Sequence, residues 1–378
     1  MGYEKFLPIA DVPGAIIATL GAFALVWLAK RWRVPYFVSL SAVFLLLISY
    51  FSVEENLIPA VRRMFPAEYR AAWIPVMITV IFFGIIGTAV CVFIRSRVPA
   101  FHSERRHFLR TATAAACAAP ALALATGFIT RKDFHIREVD VPITGLPKDL
   151  QGLRLLQVSD FHTGAFFTVA DVARVVDAAN QLRPDLAFIT GDLITDEYDP
   201  LDACLQQLSR LKAASGIWGC MGNHEAFANV ERYVQRQAAL LGMTFLRRQA
   251  VKLKFGASNM NLVGVDYQRR NHPYLQGIEP LVDLSSFNLL LSHSPDVFPI
   301  AAQKGFDLTL SGHTHGGQIN FEILGKNLNI TDFFTPYTKG LYTQPDSSIY
   351  VTSGLGTIGM PVRIGAPPEI TLIRLCNS

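Results

Sequence analysis

"FDLTLSGHTHGGQ", residues 306–318, joins a short apolar run to two histidines that stand one residue apart among three glycines. The run at 306–311 predicts a buried strand, because it is short, apolar and followed at once by glycine. The glycines predict backbone that turns freely just past the end of that strand. Taken alone, the block is either a turn that happens to contain two histidines or a site that needs two imidazoles close together. The positions of the other polar blocks decide between these alternatives.

Short apolar runs with polar residues behind them recur from about residue 135 onward. Those that predict strands are residues 153–159, 186–190, 217–221, 260–265, 287–292, 306–311, 348–353 and 370–375. Amphipathic stretches that predict helices are residues 169–182, 201–211 and 230–241. Several runs are apolar throughout, as strands covered on both faces must be. Strands that alternate with helices predict an α/β fold.

Five of these predicted strands are followed directly by metal-binding residue types. The blocks are Asp160-Phe161-His162, Gly191-Asp192, Gly222-Asn223-His224-Glu225, His293 and Gly312-His313-Thr314-His315. Open α/β sheets bind ligands beyond the carboxyl ends of their strands. Imidazole and carboxylate without thiolate suit Zn, Mn or Fe and argue against a structural cysteine-zinc site. We therefore predict two neighbouring divalent ions, with an aspartate between them and one histidine of the GHTH block on each.

The first third of the chain has a different composition. The 378-residue chain is 51% hydrophobic and only 17% charged, against roughly 25% charged in soluble domains. Apolar runs at residues 12–29, 34–53, 71–94 and 111–129 are long enough to cross a bilayer as helices. The fourth is weaker, because it is rich in alanine and contains Pro120, and a buried soluble helix is its alternative. We predict an all-α membrane region of about four transmembrane helices at residues 1–130, followed by an α/β domain at 131–378.

The charges divide along the same boundary. Residues 1–130 carry a net charge of +6 and the remainder −2, so the basic balance belongs to the membrane loops and does not indicate a nucleic-acid partner. By the positive-inside rule, the loops rich in lysine and arginine at 30–33 and 95–110 lie in the cytoplasm. That orientation puts the domain after residue 130 on the opposite side. "ERRHFLR", residues 104–110, is similar to a twin-arginine export signal, although a basic segment before any membrane helix would also contain two arginines.

The order D-x-H, G-D, G-N-H-E, H and G-H-T-H resembles that of the calcineurin-like metallophosphoesterase superfamily. "GHTHGGQ", followed by "GLY" at 340–342 and "SGLGTIGMPVRIGAPPEITLIRL" at 353–375, is similar to the bacterial membrane-anchored subgroup that includes the phosphodiesterases YkuE and YaeI. The resemblance covers about residues 134–375. It implies two β-sheets packed face to face as a sandwich, with helices outside. Together with the predicted spans, it implies a multi-pass protein of the bacterial inner (cytoplasmic) membrane, with its catalytic domain on the periplasmic or external side.

The resemblance also implies a role for each donor residue. One metal ion would be held by Asp160, His162, Asp192 and His315. The other would be held by Asp192, Asn223, His293 and His313, which makes Asp192 the shared ligand. His224 would face the substrate phosphate and, with Asn223, act in catalysis.

Other residues near these blocks have two interpretations each. Protein phosphatases of the superfamily carry an Arg-Gly after the G-D block that is missing here, so a phosphoprotein phosphatase is disfavoured. The carboxylate that would orient His224 is also left open, with Asp196 a candidate and a solvated loop acid the alternative. Arg363 would either contact phosphate or hold its loop, and Glu225 is expected to brace its loop. The apolar residues of 166–167 and 271–275 would line a substrate groove, touch the bilayer or pack in the core.

The predicted function is hydrolysis of a phosphodiester or pyrophosphate by a membrane-anchored, dinuclear-metal phosphoesterase, through metal-activated water. Because four spans would hold the site near a bilayer, its phosphate-ester substrate could be lipid-linked. One alternative is a nuclease or cyclic-nucleotide phosphodiesterase, which the negative balance of the domain disfavours. A second alternative is a membrane sensor with a phosphoesterase-like binding module. The sequence leaves the metal identity and the oligomeric state open.

Overall fold

The computed structural model describes residues 108, 111, 122–269, 272–323 and 326–378. The predicted spans at 12–29, 34–53 and 71–94, and most of the one at 111–129, lie outside these residues. In the described part of the chain, no helix combines the length and the hydropathy that crossing a bilayer requires. Residues 122–129 are helical, and Gly127–Ser378 form one compact unit.

Fourteen strands occur in the described residues. They are β1 (His135–Ile143), β2 (Arg154–Val158), β3 (Leu186–Ile189), β4 (Ile217–Gly219), β5 (Thr244–Phe245), β6 (Gln249–Phe255), β7 (Ser258–Gly264), β8 (Phe287–Leu291), β9 (Leu308–Ser311), β10 (Asn320–Ile323), β11 (Lys326–Asn329), β12 (Gly340–Gln344), β13 (Ser347–Val351) and β14 (Glu369–Asn377). They form two six-stranded sheets, in the orders β1-β14-β2-β3-β4-β5 and β12-β13-β9-β8-β7-β6, and a hairpin of β10 and β11.

Both large sheets are mixed, with a parallel centre. Strands β2 to β5 are mutually parallel, and β14 pairs antiparallel with β2. In the second sheet, β7, β8, β9 and β13 are parallel, and antiparallel strands β6 and β12 flank them. Parallel central strands end at the same edge of each sheet. At these edges, the polar blocks of the sequence follow β2, β3 and β4 of the first sheet and β8 and β9 of the second.

Alternate residues of the central strands face two different hydrophobic layers, because successive strand side chains point to opposite faces. Leu155 and Phe188 of the first sheet meet Leu289 and Leu310 of the second in the core between the sheets. Their chain neighbours face outward onto helices. Strands β3 and β8 are buried at every position, which explains why apolar residues dominate both of their faces. The prediction of two sheets packed face to face with helices outside is confirmed.

In the described residues after 132, five α-helices accompany the sheets. They are α1 (Val169–Gln181), α2 (Leu201–Leu208), α3 (Asn223–Phe227), α4 (Glu231–Leu240) and α5 (Phe298–Gln303). Helix α1 begins in a capping box, in which Thr168 and Asp171 each accept a hydrogen bond from the other's backbone N–H. Helices α1, α2 and α4 cover the outer face of the first sheet. The helix predicted at 201–211 ends three residues early, at Leu208.

Candidate metal centre

Left-handed backbone marks the loops where the polar side chains gather. Six non-glycine residues there have φ between 43° and 75°, namely Asp160, His162, Asp192, His313, His315 and Gln318. This region costs an L-residue roughly 1–2 kcal/mol, although Asp and His enter it more often than most. Such conformations persist only where surrounding structure enforces them, and they cluster at functional sites.

Glu225 holds two of these loops in place through hydrogen bonds. Its buried carboxylate accepts hydrogen bonds from the backbone N–H groups of Asp192 (2.9 Å), Leu193 (2.7 Å) and Gly222 (2.8 Å). One side chain thereby ties the loop after β3 to the loop after β4. Burial raises the pKa of Glu225, and the nearby Asp192 carboxylate adds to that rise, while the N–H donors act against it. The expectation that Glu225 braces its loop is confirmed.

A first group of donors consists of Asp160, His162 and His315, whose candidate ligand atoms all lie within 4.8 Å of one another. The Nε2 atoms of the two histidines are 3.1 Å apart. Nε2 of His315 is also 3.5 Å from Oδ1 of Asp160. All three side chains are buried.

A second group consists of Asp192, His293 and His313, again within 4.8 Å. Nε2 of His293 lies 3.1 Å from Oδ2 of Asp192 and 3.2 Å from Nδ1 of His313. Oδ1 of Asn223 is 3.1 Å from the same Nε2 atom. Asn223 is the first residue of α3, and this position brings its side chain to the second group.

Asp192 connects the two groups. Its Oδ2 atom, 3.1 Å from His293, is also 3.6 Å from Nε2 of His162 in the first group. The structure therefore brings together all seven predicted metal ligands, with Asp192 in the middle. These seven residues are referred to below as the donor cluster: Asp160, His162, Asp192, Asn223, His293, His313 and His315.

The chemistry of the donor cluster fits divalent cations. Two imidazole nitrogens that face each other at 3.1 Å must share either a proton or a cation. Burial lowers the pKa of His162 to about 3, and burial also holds the pKa of His315 well below its ordinary value. Both rings are therefore neutral, with lone pairs available to a metal. Burial opposes protonation of His293, but Asp192 and Asp160 outweigh it and raise its pKa to about 10, so a cation in that position is favoured.

A backbone carbonyl and a hydroxyl contact the Nδ1 atoms of two rings and orient them, as outer partners of metal-binding histidines usually do. Nδ1 of His293 donates to the Thr190 carbonyl oxygen at 2.6 Å, which turns Nε2 toward the donor cluster. Nδ1 of His162 lies 3.2 Å from the Thr195 hydroxyl. These partners are missing from the sequence prediction, because carbonyl groups occur at every residue and carry no signal of their own.

His224 lies beside the donor cluster, with its ring 4.7 Å from that of His162. Its Nδ1 donates to the Thr195 carbonyl oxygen at 2.6 Å, and its backbone N–H donates to Oδ1 of Asp192 at 2.9 Å. Asp196 does not orient this ring, since it is exposed and its Oδ1 accepts from the Tyr198 N–H instead. His224 also lies within 4.8 Å of His162 and Asp192, so its assignment to the substrate remains a prediction.

Arg363 is buried beneath His315. Its guanidinium donates to the carbonyl oxygens of Gly356 (2.9 and 2.5 Å) and Ala366 (3.0 Å), and it lies 3.3 Å from Nδ1 of His315. Burial lowers the pKa of Arg363 to about 10. Of the two interpretations of Arg363, the structure supports the one in which it holds its loop, because its donors are occupied by backbone oxygens.

A glycine is required where two loops touch at the donor cluster. A Cβ at Gly222 would lie 2.5 Å from the backbone N of Asp192 and closer still to its Oδ1. The φ of Gly222 is −93°, which any residue can adopt. It is therefore lack of space, and not backbone freedom, that demands glycine here.

Aromatic rings surround the donor cluster on its open side. Phe227 lies 5.6 Å from His224 and 6.2 Å from Tyr267, whose ring is in turn 5.8 Å from His313. Of the predicted groove residues, Phe167 is buried and packs on Phe161 in the core, so core packing is correct there.

A cavity of about 450 Å³ opens next to these rings. It is referred to below as the side cavity, and it is lined by Tyr267, Gln268, Tyr274, Ser294, Pro295, Asp296, His313, Thr314, His315, Gly317, Gln318, Ile319, Thr331, Phe334, Thr335 and Ile358. Tyr274 of the predicted apolar segment at 271–275 is among them. His313 and His315 belong to both the donor cluster and the side cavity.

The fold consists of two packed sheets, with aspartate, histidine and asparagine at the ends of their strands. This combination is typical of metal-dependent phosphoesterases. The family model described as calcineurin-like phosphoesterase matches residues 153–317. The chain is 32% identical over 234 residues to the metallophosphoesterase YkuE of Bacillus subtilis (strain 168), covering 61% of this chain and 81% of YkuE. The chain belongs to the calcineurin-like metallophosphoesterase family.

Two further relatives are longer than the region they share with this chain. A metallophosphoesterase of Helicobacter pylori (strain J99) is 32% identical over 248 residues, covering 64% of this chain and 63% of the relative. A Danio rerio protein named transmembrane protein with metallophosphoesterase domain is 31% identical over 253 residues, covering 63% of this chain and 56% of the relative. The chain thus spans less than two thirds of the length of both proteins.

Proposed function

We propose that the chain is a membrane-anchored phosphodiesterase or pyrophosphatase whose donor cluster holds two divalent ions. The position of Asp192 between two groups of donors, 3.1 Å from His293 and 3.6 Å from His162, carries this proposal. When bound, two such ions activate water and neutralise the charge of a phosphoryl group. Asp160, His162, Asp192 and His315 would hold one ion, and Asp192, Asn223, His293 and His313 the other.

His224 is the proton donor in this proposal. Its Nδ1 hydrogen is committed to the Thr195 carbonyl oxygen, so the proton that a charged ring releases is the one on Nε2. An imidazole that donates this proton to the leaving oxygen typically contributes about 10²–10⁴-fold in rate. The hydrogen bond from the His224 backbone N–H to Asp192 fixes the position of His224 beside the donor cluster.

A diester suits the surroundings better than a monoester. A phosphate monoester carries about two negative charges near neutral pH and a diester carries one, so the monoester would benefit more from a guanidinium clamp. Arg363, which contacts His315, donates to backbone carbonyl oxygens instead. No lysine or arginine is among the described residues that line the side cavity.

The first residues of the described domain support the proposal of a lipid-linked substrate. Gly127 accepts a hydrogen bond at 3.1 Å from the backbone N–H of Arg363, whose side chain contacts His315. Gly127 is two residues from the end of the predicted fourth span. Phe128 and Ile129 beside it are exposed, as expected for a segment that meets a bilayer. These contacts support a site close to the membrane surface, on the periplasmic side by the charge of the predicted loops.

The test is hydrolysis by the purified full chain of bis-p-nitrophenyl phosphate, a diester, and of p-nitrophenyl phosphate, a monoester, with and without added Mn²⁺. We expect metal-dependent turnover of the diester that exceeds turnover of the monoester. If the metal-loaded chain hydrolyses neither compound, the binding-module alternative replaces the proposal. A reporter fused to the C-terminus checks sidedness, since a cytoplasmic signal would contradict the periplasmic assignment.

A further inference from the structure

Thr195 contacts two rings of the site at once, through two different groups. Its hydroxyl lies 3.2 Å from Nδ1 of His162, whose Nε2 faces the donor cluster. Its carbonyl oxygen accepts the Nδ1 hydrogen of His224 at 2.6 Å. One residue therefore contributes to the orientation of a predicted metal ligand and of the predicted proton donor.

The backbone of Thr195 is held by Asp199, which lies further along the same loop. Oδ2 of Asp199 accepts hydrogen bonds from the backbone N–H groups of Thr195 (2.7 Å) and Asp196 (3.0 Å). The Asp196 N–H and the Thr195 carbonyl belong to the same peptide unit. Because a peptide unit is planar, fixing the direction of its N–H also fixes the direction of its carbonyl. The carboxylate of Asp199 thus aims the oxygen that accepts from His224.

Asp199 also lies against the loop after β2, which carries His162. A Cβ at Gly164 of that loop would lie 2.8 Å from Oδ1 of Asp199, so the two loops meet here without room for a side chain. Burial raises the pKa of Asp199, while its two N–H donors and a charged His224 act against that rise. The carboxylate therefore lies within electrostatic reach of the His224 ring whose partner it holds.

We propose that Asp199 is a positioning residue for the hydrolysis, and that it acts through Thr195 on His162 and His224 together. This inference rests on the proposed function, because it needs metal ions at the donor cluster and a proton on Nε2 of His224. Asp199 would keep that proton aimed at the leaving oxygen and keep Nε2 of His162 facing the donor cluster. It acts through one peptide unit, whereas the sequence offered Asp196 as a direct partner of the ring.

Two methyl phosphodiesters that differ only in their leaving group measure how well the proton donor is placed. They are methyl p-nitrophenyl phosphate and methyl phenyl phosphate. Phenolate is the more basic of the two leaving anions, so its departure depends more on a proton from His224. A variant that merely weakens the fold would lower kcat for both esters by the same factor.

Asp199→Ala removes the acceptor of both N–H groups. We expect kcat of the full chain at saturating Mn²⁺ to fall by about 10-fold or more for the p-nitrophenyl ester. The fall for the phenyl ester should be at least about threefold larger. Asp199→Asn keeps an oxygen that can accept from both N–H groups, and it should recover most of the loss. Glu197→Gln, at an exposed acid of the same loop, is the control and should match the wild type.

Thr195→Val separates the two contacts of Thr195. The variant removes the hydroxyl that faces His162 but keeps the carbonyl that accepts from His224. We expect the affinity for Mn²⁺, measured by competition with a chelator, to fall by about 10-fold. The ratio of kcat for the two esters should keep its wild-type value. Thr195→Ser retains the hydroxyl and should recover the affinity.

The outcomes separate this inference from the proposed function. An equal loss of kcat for both esters in Asp199→Ala, or no loss, would overturn the positioning role while the phosphodiesterase stands. Unchanged Mn²⁺ affinity in Thr195→Val would overturn its part at His162. Hydrolysis of neither ester by the metal-loaded wild type would remove the proposed function and the inference with it. Melting temperatures check folding. If Asp199→Ala is unfolded, Asp199→Glu replaces it, because the added methylene displaces the carboxylate and the same unequal loss is expected.

Discussion

The donor cluster and the side cavity share His313 and His315 but are built in opposite ways. The donor-cluster residues lie in the loops just past central strands or begin the helix that follows one. Hydrogen bonds with other parts of the protein hold Asp192 and His293 in place. Much of the side cavity comes from longer loops, and its Phe334 is 59% exposed. Metal chemistry tolerates few donor types at set separations, whereas a pocket for a substituent can be built from many residues. In the proposed function, the reaction chemistry would therefore lie at the strand ends, and the substituent of the substrate would be selected by the loops.

The largest effect on turnover should come from His224→Ala. Loss of the proton donor should lower kcat for bis-p-nitrophenyl phosphate by about 10²–10⁴-fold, while metal content stays near that of the wild type. His272→Ala, at an exposed histidine, is the control. Loss of metal from His224→Ala would show that His224 is a ligand and that the assigned roles are wrong.

Glu225→Gln tests the brace of the donor cluster. The substitution replaces one acceptor oxygen with an N–H₂ group that faces backbone N–H groups, so at least one buried donor loses its partner. Each such loss costs about 1–3 kcal/mol in the free energy of unfolding, which chemical denaturation of the purified chain can measure. Glu197→Gln, exposed in the same loop as Asp192, should change stability little. Equal stability of the two variants would show that Glu225 does not enforce the left-handed loop.

Arg363→Lys tests the support behind His315. A lysine cannot span the Gly356 and Ala366 carbonyls as the planar guanidinium does. We expect metal affinity, measured by competition with a chelator, to fall by about 10-fold, as loss of an outer partner of a metal ligand often causes. Arg374→Lys, in an exposed pair with Asp140, is the control. Unchanged affinity together with a raised KM would instead favour contact between Arg363 and phosphate.

The smallest effect is expected at the outer end of the side cavity. Phe334→Ala should raise KM for bis-p-nitrophenyl phosphate by about two- to fivefold, because the variant removes an apolar ring from the wall of the side cavity. Metal content and kcat should not change. Leu284→Ala, at a side chain that is 85% exposed and does not line the cavity, is the control. A loss of metal in Phe334→Ala would show that the two regions are not separable.

The same contrast explains what the sequence could predict. The central strands were recognisable because both of their faces are buried, and the donors because they stand at the ends of those strands. Strand β1 escaped prediction because most of its side chains are exposed and look like loop residues. The partner of His224 also escaped, since a carboxylate was sought and the structure uses the Thr195 carbonyl. The side cavity could not be predicted, because its loop residues share no periodicity. The metal and catalytic roles of the site residues, and the membrane spans, remain predictions.

The most direct test of the central claim is elemental analysis of the purified full chain, loaded with Mn²⁺ and dialysed, as wild type and as Asp192→Asn. Asp196→Asn, an exposed acid of the same loop, is the control. A shared ligand predicts two ions per chain in the wild type and in the control, and loss of both ions from Asp192→Asn. Two ions retained by Asp192→Asn, or no more than one bound by the wild type at saturation, would contradict a pair of ions joined by Asp192.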